Sequence, residues 1–531
     1  MRRTLMDACL VLATGALLSV AQGCGPKTFK DIIDGEFDLP QGEVAALKSI
    51  VESSPLKPEQ VKVFKDYAIC YSCPKIVIRD GHVGEITLRK AGVTAIDGLG
   101  KLPMVTKVDL FGNTISAASG FCGANKLRQL DLRRNRIAKL APGAGCQSLQ
   151  TLQLDNNALT SLAGLSGMPQ LRKLTLRGNK LESARGLGSL PKLIRLDLSQ
   201  QQLVSLDGLA GAKRLSTVIL DDNKLTNLAG LEKLPQLRTL SAKRNTISTL
   251  KIGGRAHLRT LTVDNNTLTS LDGLESYPDL QKLSAKHNTI ASLAPMTTIR
   301  LLKVAHLDYN ALTSLETLAG EATQPPEAPE KARSKRSKRS KRSKRSKRSK
   351  RSKSRRRGGI ALSLSGGGTS KGARRLHHRA LRTFTASHNT IASTRGIEQA
   401  TSLRTLDLSN NRLTNLQNLH LLFLLKELIV NHNQLTTIRS AGDLRLLKVF
   451  IAHHNKLRDK RELGFIGSTG RPRYTHYDFR HNLLMGVPAL MLYRGVSRSG
   501  TYVVGGYRRR HYGGYRGSRR YGGGGGYRYG K

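Results

Sequence analysis

Apolar residues recur along the chain at fixed intervals within segments of 22 residues. Leu149–Gln170 and Leu171–Lys192 follow the same pattern, L-x-x-L-x-L-x-x-N-x-L, and each continues into a looser half with a further Leu and a Pro. A single unit of this kind is too small to enclose a core, but stacked units bury their leucines against one another. The pattern therefore predicts a stack of repeats rather than one closed globular domain.

One position of each unit is almost always asparagine, and it sets the repeat length. The position is occupied by Ala91 in the first unit and by Gln201 in the sixth, where weaker hydrogen bonding is expected. Asparagine suits a tight bend, because its side chain both donates to and accepts from backbone groups. The steps are 22 residues, apart from one of 21 near Gly253 and a longer last one. The asparagines are Asn113, Asn135, Asn157, Asn179, Asn223, Asn245, Asn266, Asn288, Asn310, Asn389, Asn411, Asn433, Asn455 and Asn482.

The repeat is interrupted once, between Asn310 and Asn389. These residues are 79 positions apart, where one repeat takes 22. The excess corresponds to one insertion, residues 321–378, which contains a run of Ser-Lys-Arg triplets. Because it falls in the variable half of a unit, we expect a single solenoid of about 16 units. Two separate arrays are the alternative.

This pattern resembles the leucine-rich repeat family, in its 22-residue, internalin-like class. The resemblance implies an α/β fold, a curved solenoid with a parallel sheet on the concave face and 3₁₀ or short helical turns on the convex face. Residues 81–320 and 379–495 would be its two blocks of repeats, the second including a C-terminal cap. We expect a small helical N-terminal cap at 24–80, with helices over 40–53 and 57–70 and a strand at 76–79.

The N-terminus has the features of an export signal. Arg2 and Arg3 precede an apolar run that is too short to span a bilayer, and small residues follow it. Cys24 comes directly after Gly23, so residues 1–23 resemble a bacterial lipoprotein signal peptide in which the Cys24 thiol is lipidated. The resemblance implies an anchor at the outer membrane or cell surface. Plain secretion and an uncleaved segment are the alternatives.

Four further cysteines could form structural disulfides in an exported protein: Cys70, Cys73, Cys122 and Cys146. Cys122 and Cys146 occupy nearly matching positions of neighbouring repeats, which makes their pairing plausible. Cys70 and Cys73 have the spacing of a redox motif, but no βαβ pattern surrounds them and no second pair completes a zinc site.

The net charge of +51 is concentrated in two segments. About 18 of the 88 Lys and Arg lie between Lys331 and Arg357, and about 11 follow Asp478, where no acidic residue occurs. The second segment, 496–531, is rich in Gly, Tyr and Arg and is predicted to be disordered. Both segments suit anionic polymers such as lipopolysaccharide, polysaccharide or nucleic acid. A solvated run without a single partner is the alternative.

The outward residues of the strands are the candidates for ligand binding. Two positions before each asparagine, acidic and basic residues alternate along the stack; because neighbouring strands are about 4.8 Å apart, they form one stripe. We expect cross-strand pairs to neutralise one another, with recognition of a polar partner as the competing interpretation. The candidates are Phe111, Arg133, Asp155, Arg177, Asp221, Lys243, Asp264, Lys286, Asp308 and Tyr309.

Histidines directly precede the asparagine in five later units, at His287, His388, His432, His454 and His481. Stacked imidazoles could bind a transition metal or respond to acid pH. Duplication of repeats explains them as well, so no metal site and no cofactor are predicted.

No enzymatic motif is complete. Residues 360–372 resemble the glycine-rich loop of patatin-like lipases, but no G-x-S-x-G nucleophile elbow follows. Together with the two resemblances, which imply a protein ligand for the repeats and a lipid anchor at a membrane, the sequence predicts a non-catalytic, monomeric protein that attaches to anionic polymers through its basic segments. An intracellular RNA-binding protein that uses the same basic segments is the alternative.

Overall fold

The computed structural model describes residues 27–65, 73–141, 146–319, 380–464, 474–487 and 492–494. The predicted signal peptide, the insertion and the C-terminal tail lie outside these residues, and so do Cys24 and Cys70.

The N-terminal cap combines two helices with two strands. Helix α1 is Phe29–Ile33, and α2, Gln41–Glu52, begins after Pro40 as predicted. One face of α2 is apolar and buried, and it covers the first repeat instead of leaving that repeat's leucines in water. Among the described helices, none is long and apolar enough to cross a membrane.

The helix predicted over 57–70 is wrong. Pro58–Gln60 forms a single 3₁₀ turn, and strand β1, Lys62–Lys65, follows it. β1 pairs in parallel with β2, Lys75–Arg79. Val61 and Val63 are both buried, an alternation that places them on one side of a strand. The free edge of β2 supplies hydrogen bonds that local helix propensity does not outweigh, so the cap is mixed rather than helical.

Each repeat contributes one short strand to a 19-stranded sheet. The strands are β3 His82–Thr87, β4 Lys107–Asp109, β5 Ala117–Ser119, β6 Gln129–Asp131, β7 Lys139–Ala141, β8 Thr151–Gln153, β9 Lys173–Thr175, β10 Arg195–Asp197, β11 Thr217–Ile219, β12 Thr239–Ser241, β13 Thr260–Thr262, β14 Lys282–Ser284, β15 Val304–His306, β16 Thr383–Thr385, β17 Thr405–Asp407, β18 Glu427–Ile429, β19 Val449–Ile451, β20 His476–Asp478 and β21 Tyr493–Arg494. β5 and β7 form a separate two-stranded sheet, and the 19-stranded sheet consists of the other strands together with β1 and β2.

The sheet is parallel from β3 to β20, and each strand pairs with the strand of the next repeat. Two pairings between the described strands are antiparallel: β2 pairs with β3, and β21 pairs with β20. Since β21 lies along the outer edge of β20, it closes the C-terminal end of the sheet.

The insertion leaves the sheet continuous. β15 and β16 pair directly, with Val304 opposite Thr383, as a single solenoid requires. The backs of the two repeats also fit closely. Gly396 has a φ of +99°, and a Cβ added there would collide with the carbonyl of Leu315. A residue with a side chain would therefore disrupt the packing just after the insertion.

The core consists of leucines from every repeat stacked in columns. In the repeat that begins at Leu171, the side chains of Leu174, Leu176, Leu181 and Leu187 are all 0% exposed. Behind them the chain returns through 3₁₀ turns, at Asp97–Lys101, Phe121–Gly123, Ala163–Leu165, Leu187–Ser189, Leu231–Lys233, Leu274–Ser276, Ala294–Thr298, Glu316–Ala319, Ile397–Gln399, Leu419–Leu421, Arg439–Asp443 and Lys460–Leu463. The opposite face of the sheet, the concave face, carries the polar residues.

Candidate ligand-binding surface

The asparagines join each repeat to the one before it. Nδ2 of Asn135 donates to the carbonyl of Leu132 in its own repeat at 3.0 Å and to that of Leu110 in the preceding repeat at 3.1 Å. Its Oδ1 accepts from the N–H of Ile115 at 3.1 Å. One side chain thus satisfies three buried backbone groups that would otherwise lack partners.

The same ladder crosses the insertion. Asn389 donates to the carbonyl of Leu307 at 3.1 Å and accepts from the N–H of Leu312 at 2.9 Å, although both residues precede residues 321–378. Asn482, after the longest regular step, makes the equivalent bonds to Ala452 and Leu457. Repeat length therefore varies without loss of the contacts between repeats.

The expectation of a weaker ladder at Gln201 is wrong. Its longer side chain still accepts from the N–H of Leu181 at 3.0 Å and donates to the carbonyl of Leu176 at 2.5 Å. The extra methylene shifts only the bond within its own repeat, which goes to Ser199 at 3.3 Å. Ala91 has no side-chain amide, but its own N–H donates to Asn113 at 2.9 Å.

The residue before each ladder position adopts a left-handed backbone conformation. Its φ is +51° at His287, +57° at Tyr309 and +53° at His388, and the same sign is found at this position in every repeat. Asn, Asp, His and Gly tolerate this region best. Backbone conformation therefore gives the recurring histidines a physical reason beyond repeat duplication.

The aspartates of the alternating stripe cap backbone N–H groups. Asp155 accepts from the N–H of Arg177 at 3.0 Å, and Asp221 accepts from that of Lys243 at 2.9 Å. Asp264 and Asp308 make the same bond to the stripe residue of the next repeat, at 3.0 Å in both cases. Each acceptor lies one repeat before its donor, which explains why acidic residues occupy alternate units.

Where the preceding stripe residue is not acidic, an aspartate in the strand itself takes its place. Asp109 accepts from the N–H of Phe111 at 3.2 Å, and Asp131 accepts from that of Arg133 at 3.0 Å. The same arrangement is found at Asp197, Asp407 and Asp478. The predicted neutralisation by cross-strand charge pairs is thus largely replaced by backbone capping.

One ion pair joins neighbouring stripe residues among those described, Lys286 to Asp308 at 2.6 Å. Burial raises the pKa of Asp308, but the charge of Lys286 and the hydrogen bonds outweigh it, so the pKa lies below its ordinary value. Burial dominates at Asp155, whose pKa is raised despite its hydrogen bonds. The pKa values of Asp308 and Asp155 are therefore shifted in opposite directions, although the two residues occupy equivalent positions of their repeats.

Phe111 lies near the N-terminal end of the concave face among three arginines. The guanidinium carbons of Arg89, Arg133 and Arg134 lie 5.1, 5.5 and 5.5 Å from its ring centroid. Arg133 also binds Asp131 through two nitrogens, at 2.9 and 2.5 Å. The ring is covered by cations, which favours a contact with acidic groups.

Tyr309 lies in the left-handed position of its repeat and is part of a stack of three rings, the Tyr309 stack. Its centroid is 4.2 Å from that of His287 and 4.0 Å from that of His388, with interplanar angles of 13° and 8°. The side chain is nevertheless 44% exposed. The stack therefore presents a row of ring edges to solvent.

A second group of rings lies at the C-terminal end. His454 stacks on His432 at 4.3 Å and on His481 at 4.3 Å, and Nδ1 of His453 is 2.7 Å from Nδ1 of His454. Burial, followed by the neighbouring imidazoles and Arg480, lowers the pKa of His453 to about 4, although Asp478 acts in the opposite direction. At neutral pH this ring is uncharged.

Two of the predicted cysteines form a disulfide across neighbouring repeats. Cys122 and Cys146 are bonded, with their Cα atoms 4.4 Å apart. Cys73 is also disulfide-bonded. Both sites lie in the N-terminal part of the structure.

Comparison with known families identifies the repeat. The profile described as leucine-rich repeat matches residues 125–181, and a second profile of that description matches residues 399–416. The two segments lie on either side of the insertion. The fold is a leucine-rich repeat solenoid.

Solved structures of similar solenoids include two bacterial proteins. A leucine-rich repeat protein of Leptospira interrogans has 18% identity and a TM-score of 0.51, covering 76% of this chain and 85% of its own. The functional domain of InlJ from Listeria monocytogenes, which includes a cysteine ladder, has 19% identity and a TM-score of 0.50, covering 75% and 73%. At these identities the likeness shows the fold alone. A comparison by sequence with curated proteins gave no match.

Sequence reasoning missed part of the solenoid's candidate surface. Arg89 and Arg134 were not among the candidates, although both lie on Phe111. His453 was not among the candidates either, whereas the structure places it in contact with the rings of His454 and His432. The signal was present in the pair of adjacent histidines, because one belongs to the stripe and the other to the left-handed position.

Proposed function

We propose that this leucine-rich repeat protein is a non-catalytic binding protein that recognises a protein ligand on its concave face. The observation that supports this most directly is the Tyr309 stack. Tyr309 is 44% exposed although its ring is stacked between two imidazoles, which restrict its rotation. Rigid, accessible aromatic rings lose little conformational entropy on binding and dominate many protein interfaces.

The charged and polar groups beside the Tyr309 stack are paired with one another. Lys286 and Asp308 form their ion pair in the adjoining stripe, and Thr385 and Ser387 donate to Asp308 at 2.9 and 3.0 Å. These groups already have partners, so they fix the shape of the surface more than they attract a ligand. The rings would supply the binding energy.

Capture from an envelope extract with the wild type and two variants tests this function. Tyr309→Asn removes the ring and retains the left-handed backbone, which Asn265 already adopts in an earlier repeat. Gln200→Asn is the matched control at the same position of a repeat without stacked rings. We expect Tyr309→Asn to lose a protein that both the wild type and the control retain. Equal capture by all three would contradict recognition through the Tyr309 stack.

We further propose that the protein is exported and anchored as a monomer at the outer membrane or cell surface through lipidated Cys24. The N-terminal sequence supports this, and mass spectrometry of the mature protein tests it. A diacylated Cys24 at the N-terminus is expected, whereas an intact Met1 would exclude both the anchor and the signal peptide. Light scattering of the delipidated protein should give the mass of one chain.

The basic segments are proposed to attach the protein to an anionic polymer. Their charge predicts an affinity that falls steeply with salt, because each phosphate contact releases counterions. Deletion of residues 321–378 should weaken binding to lipopolysaccharide and leave the ligand of the concave face bound. An intact Met1 together with stronger binding to RNA would favour the intracellular alternative instead.

A further inference from the structure

Three histidines at the C-terminal end of the concave face bring ring nitrogens together. His432, His453 and His454 each offer one nitrogen, and the three atoms lie within 4.8 Å of one another. In a tetrahedral site with metal–nitrogen bonds of about 2.0–2.1 Å, ligand nitrogens are about 3.4 Å apart. Metal binding would therefore require the side chains to rotate until the three nitrogens reach this separation, from 2.7 Å between Nδ1 of His453 and Nδ1 of His454.

We propose that His432, His453 and His454 bind a divalent transition-metal ion of the zinc, nickel or copper class. Imidazole nitrogen is a preferred ligand of these ions, whereas calcium and magnesium prefer oxygen. Three protein ligands leave a coordination position for water or for a donor group of a bound partner. The site would lie on the same face as the Tyr309 stack but does not depend on it.

The backbone of the three ligands is fixed by hydrogen bonds between repeats. The N–H of His432 donates to the carbonyl of His453 at 3.0 Å, and the N–H of His454 donates to that of Arg480 at 3.1 Å. The next residues, Asn433 and Asn455, are ladder asparagines and are buried. The backbone of the three ligands is therefore held by contacts that do not depend on a metal, which favours binding.

The left-handed backbone does not account for the cluster. It explains His432 and His454, whose φ values are +53° and +54°. His453 lies one residue earlier, in the stripe, and its equivalents in the two preceding repeats are Asn431 and Ser409. The backbone conformation therefore does not explain why residue 453 is a histidine. Its ring contacts those of His432 and His454 and completes a set of three ligands.

The charges next to the cluster are compensated. Arg480 would repel a cation, but it binds Asp478 at 3.0 and 2.7 Å through two nitrogens. Its guanidinium carbon also lies 4.3 Å from the ring centroid of Tyr493. On the outer side of His454, His481 stacks on that ring without joining the set of three. The cluster thus faces a neutral pair rather than an isolated positive charge.

Isothermal titration of the full chain with zinc chloride, and then with nickel chloride, tests the site. His453→Asn removes the central ligand and introduces the residue already found at Asn431. The matched control is His388→Asn, which removes a stacked histidine outside the cluster and introduces the residue found at Asn410. Because every other histidine is shared by the variants, the difference between them reports on this cluster.

We expect one binding event that His388→Asn retains and that His453→Asn weakens at least tenfold. Copper electron paramagnetic resonance of the wild type should show three imidazole nitrogens on the ion, and fewer in His453→Asn. If the melting temperature of His453→Asn differs from that of the wild type, the substitution has disturbed the fold, and His432→Asn serves as the second variant. Absence of binding in the wild type, or equal affinity in His453→Asn and wild type, would overturn the proposal.

Discussion

The first nine repeats and the last seven differ at the left-handed position before the ladder residue. In the first nine it carries no ring: the residues are Lys90, Gly112, Arg134, Asn156, Gly178, Gln200, Asp222, Arg244 and Asn265. In the last seven, six residues carry a ring: His287, Tyr309, His388, His432, His454 and His481, with Asn410 between the two groups. The backbone conformation is the same in both regions, so it permits the rings but does not require them.

This difference distinguishes the residues that stabilise the fold from those that vary on the exposed surface. The ladder and the leucine columns are shared by both regions, as Asn179 and Asn433 illustrate with equivalent bonds. The rings are added on the exposed side of that common frame. Function should therefore be sought where the two regions differ, and stability where they agree.

Core substitutions should have the largest effect and should be the same in both regions. Leu196→Ala in the first region and Leu428→Ala in the second each remove a strand leucine that is 0% exposed. We expect a loss of about 2–5 kcal/mol for each, from lost burial and the cavity left behind. Urea unfolding monitored by circular dichroism measures both. Losses that differ by more than about 2 kcal/mol would break the claim of a common core.

Ladder substitutions should come next. Asn179→Ala and Asn433→Ala each leave three buried backbone groups without partners, so we expect a loss of about 2–3 kcal/mol from each. Asn227→Ala, at an exposed turn, is the control and should cost less than about 1 kcal/mol. A ladder variant as mild as this control in either region would contradict a continuous ladder.

The pH dependence of stability should distinguish Asp308 from Asp155. The lowered pKa of Asp308 means that its contribution is present above the ordinary value of about 4 and is lost as the pH falls through the folded-state value. The raised pKa of Asp155 has the opposite sign, because the folded protein then binds its proton more readily than the unfolded chain.

Thermal unfolding at pH 7, at pH 4 and at a pH about 2 units below the ordinary value measures this contrast, because the contribution of Asp308 is lost only below that value. Asp308→Asn should lose about 2 kcal/mol at pH 7, from bonds to a charged acceptor, and should reduce the loss of stability on acidification. Asp155→Asn should make that loss larger. The same direction of change for both variants would show that the two carboxylates are electrostatically alike.

Ring removal should have the smallest effect on stability. Tyr309→Asn abolishes two stacking contacts and should cost about 1 kcal/mol, since the left-handed backbone is retained. Gln200→Asn should stay within about 0.5 kcal/mol of the wild type. Differential scanning calorimetry is sufficient for both. A large loss for Tyr309→Asn would mean that the Tyr309 stack is part of the frame rather than of the surface.

The fold could be predicted because apolar residues recur at the same positions of each 22-residue repeat. The 22-residue step located the insertion by subtraction, and the pairing of β15 with β16 follows from the same register. The strand at Lys62–Lys65 was missed although its partner, β2, was expected nearby, since helix spacing in the segment says nothing of strand pairing. Local propensity favoured a helix there, and tertiary pairing overrode it.

The surface was less predictable than the frame. The stripe was recognised, but its aspartates looked like charge partners because sequence shows side chains and not the backbone N–H groups that they cap. A weaker ladder was expected at Gln201, because the sequence does not show whether a longer side chain still reaches the backbone groups of the preceding repeat. The contact between His453 and His454 depends on side-chain rotamers, which residue spacing does not determine.

The ladder at Asn389 has a consequence for the integrity of the chain. Repeats on the two sides of residues 321–378 are joined by strand pairing, side-chain amides and packed leucines, so their association does not rely on the covalent connection. The intervening sequence is dense in Lys and Arg, the residues after which trypsin-like proteases cut. A protein nicked there would remain one particle of two polypeptides, able to shed its basic segment and keep its recognition face.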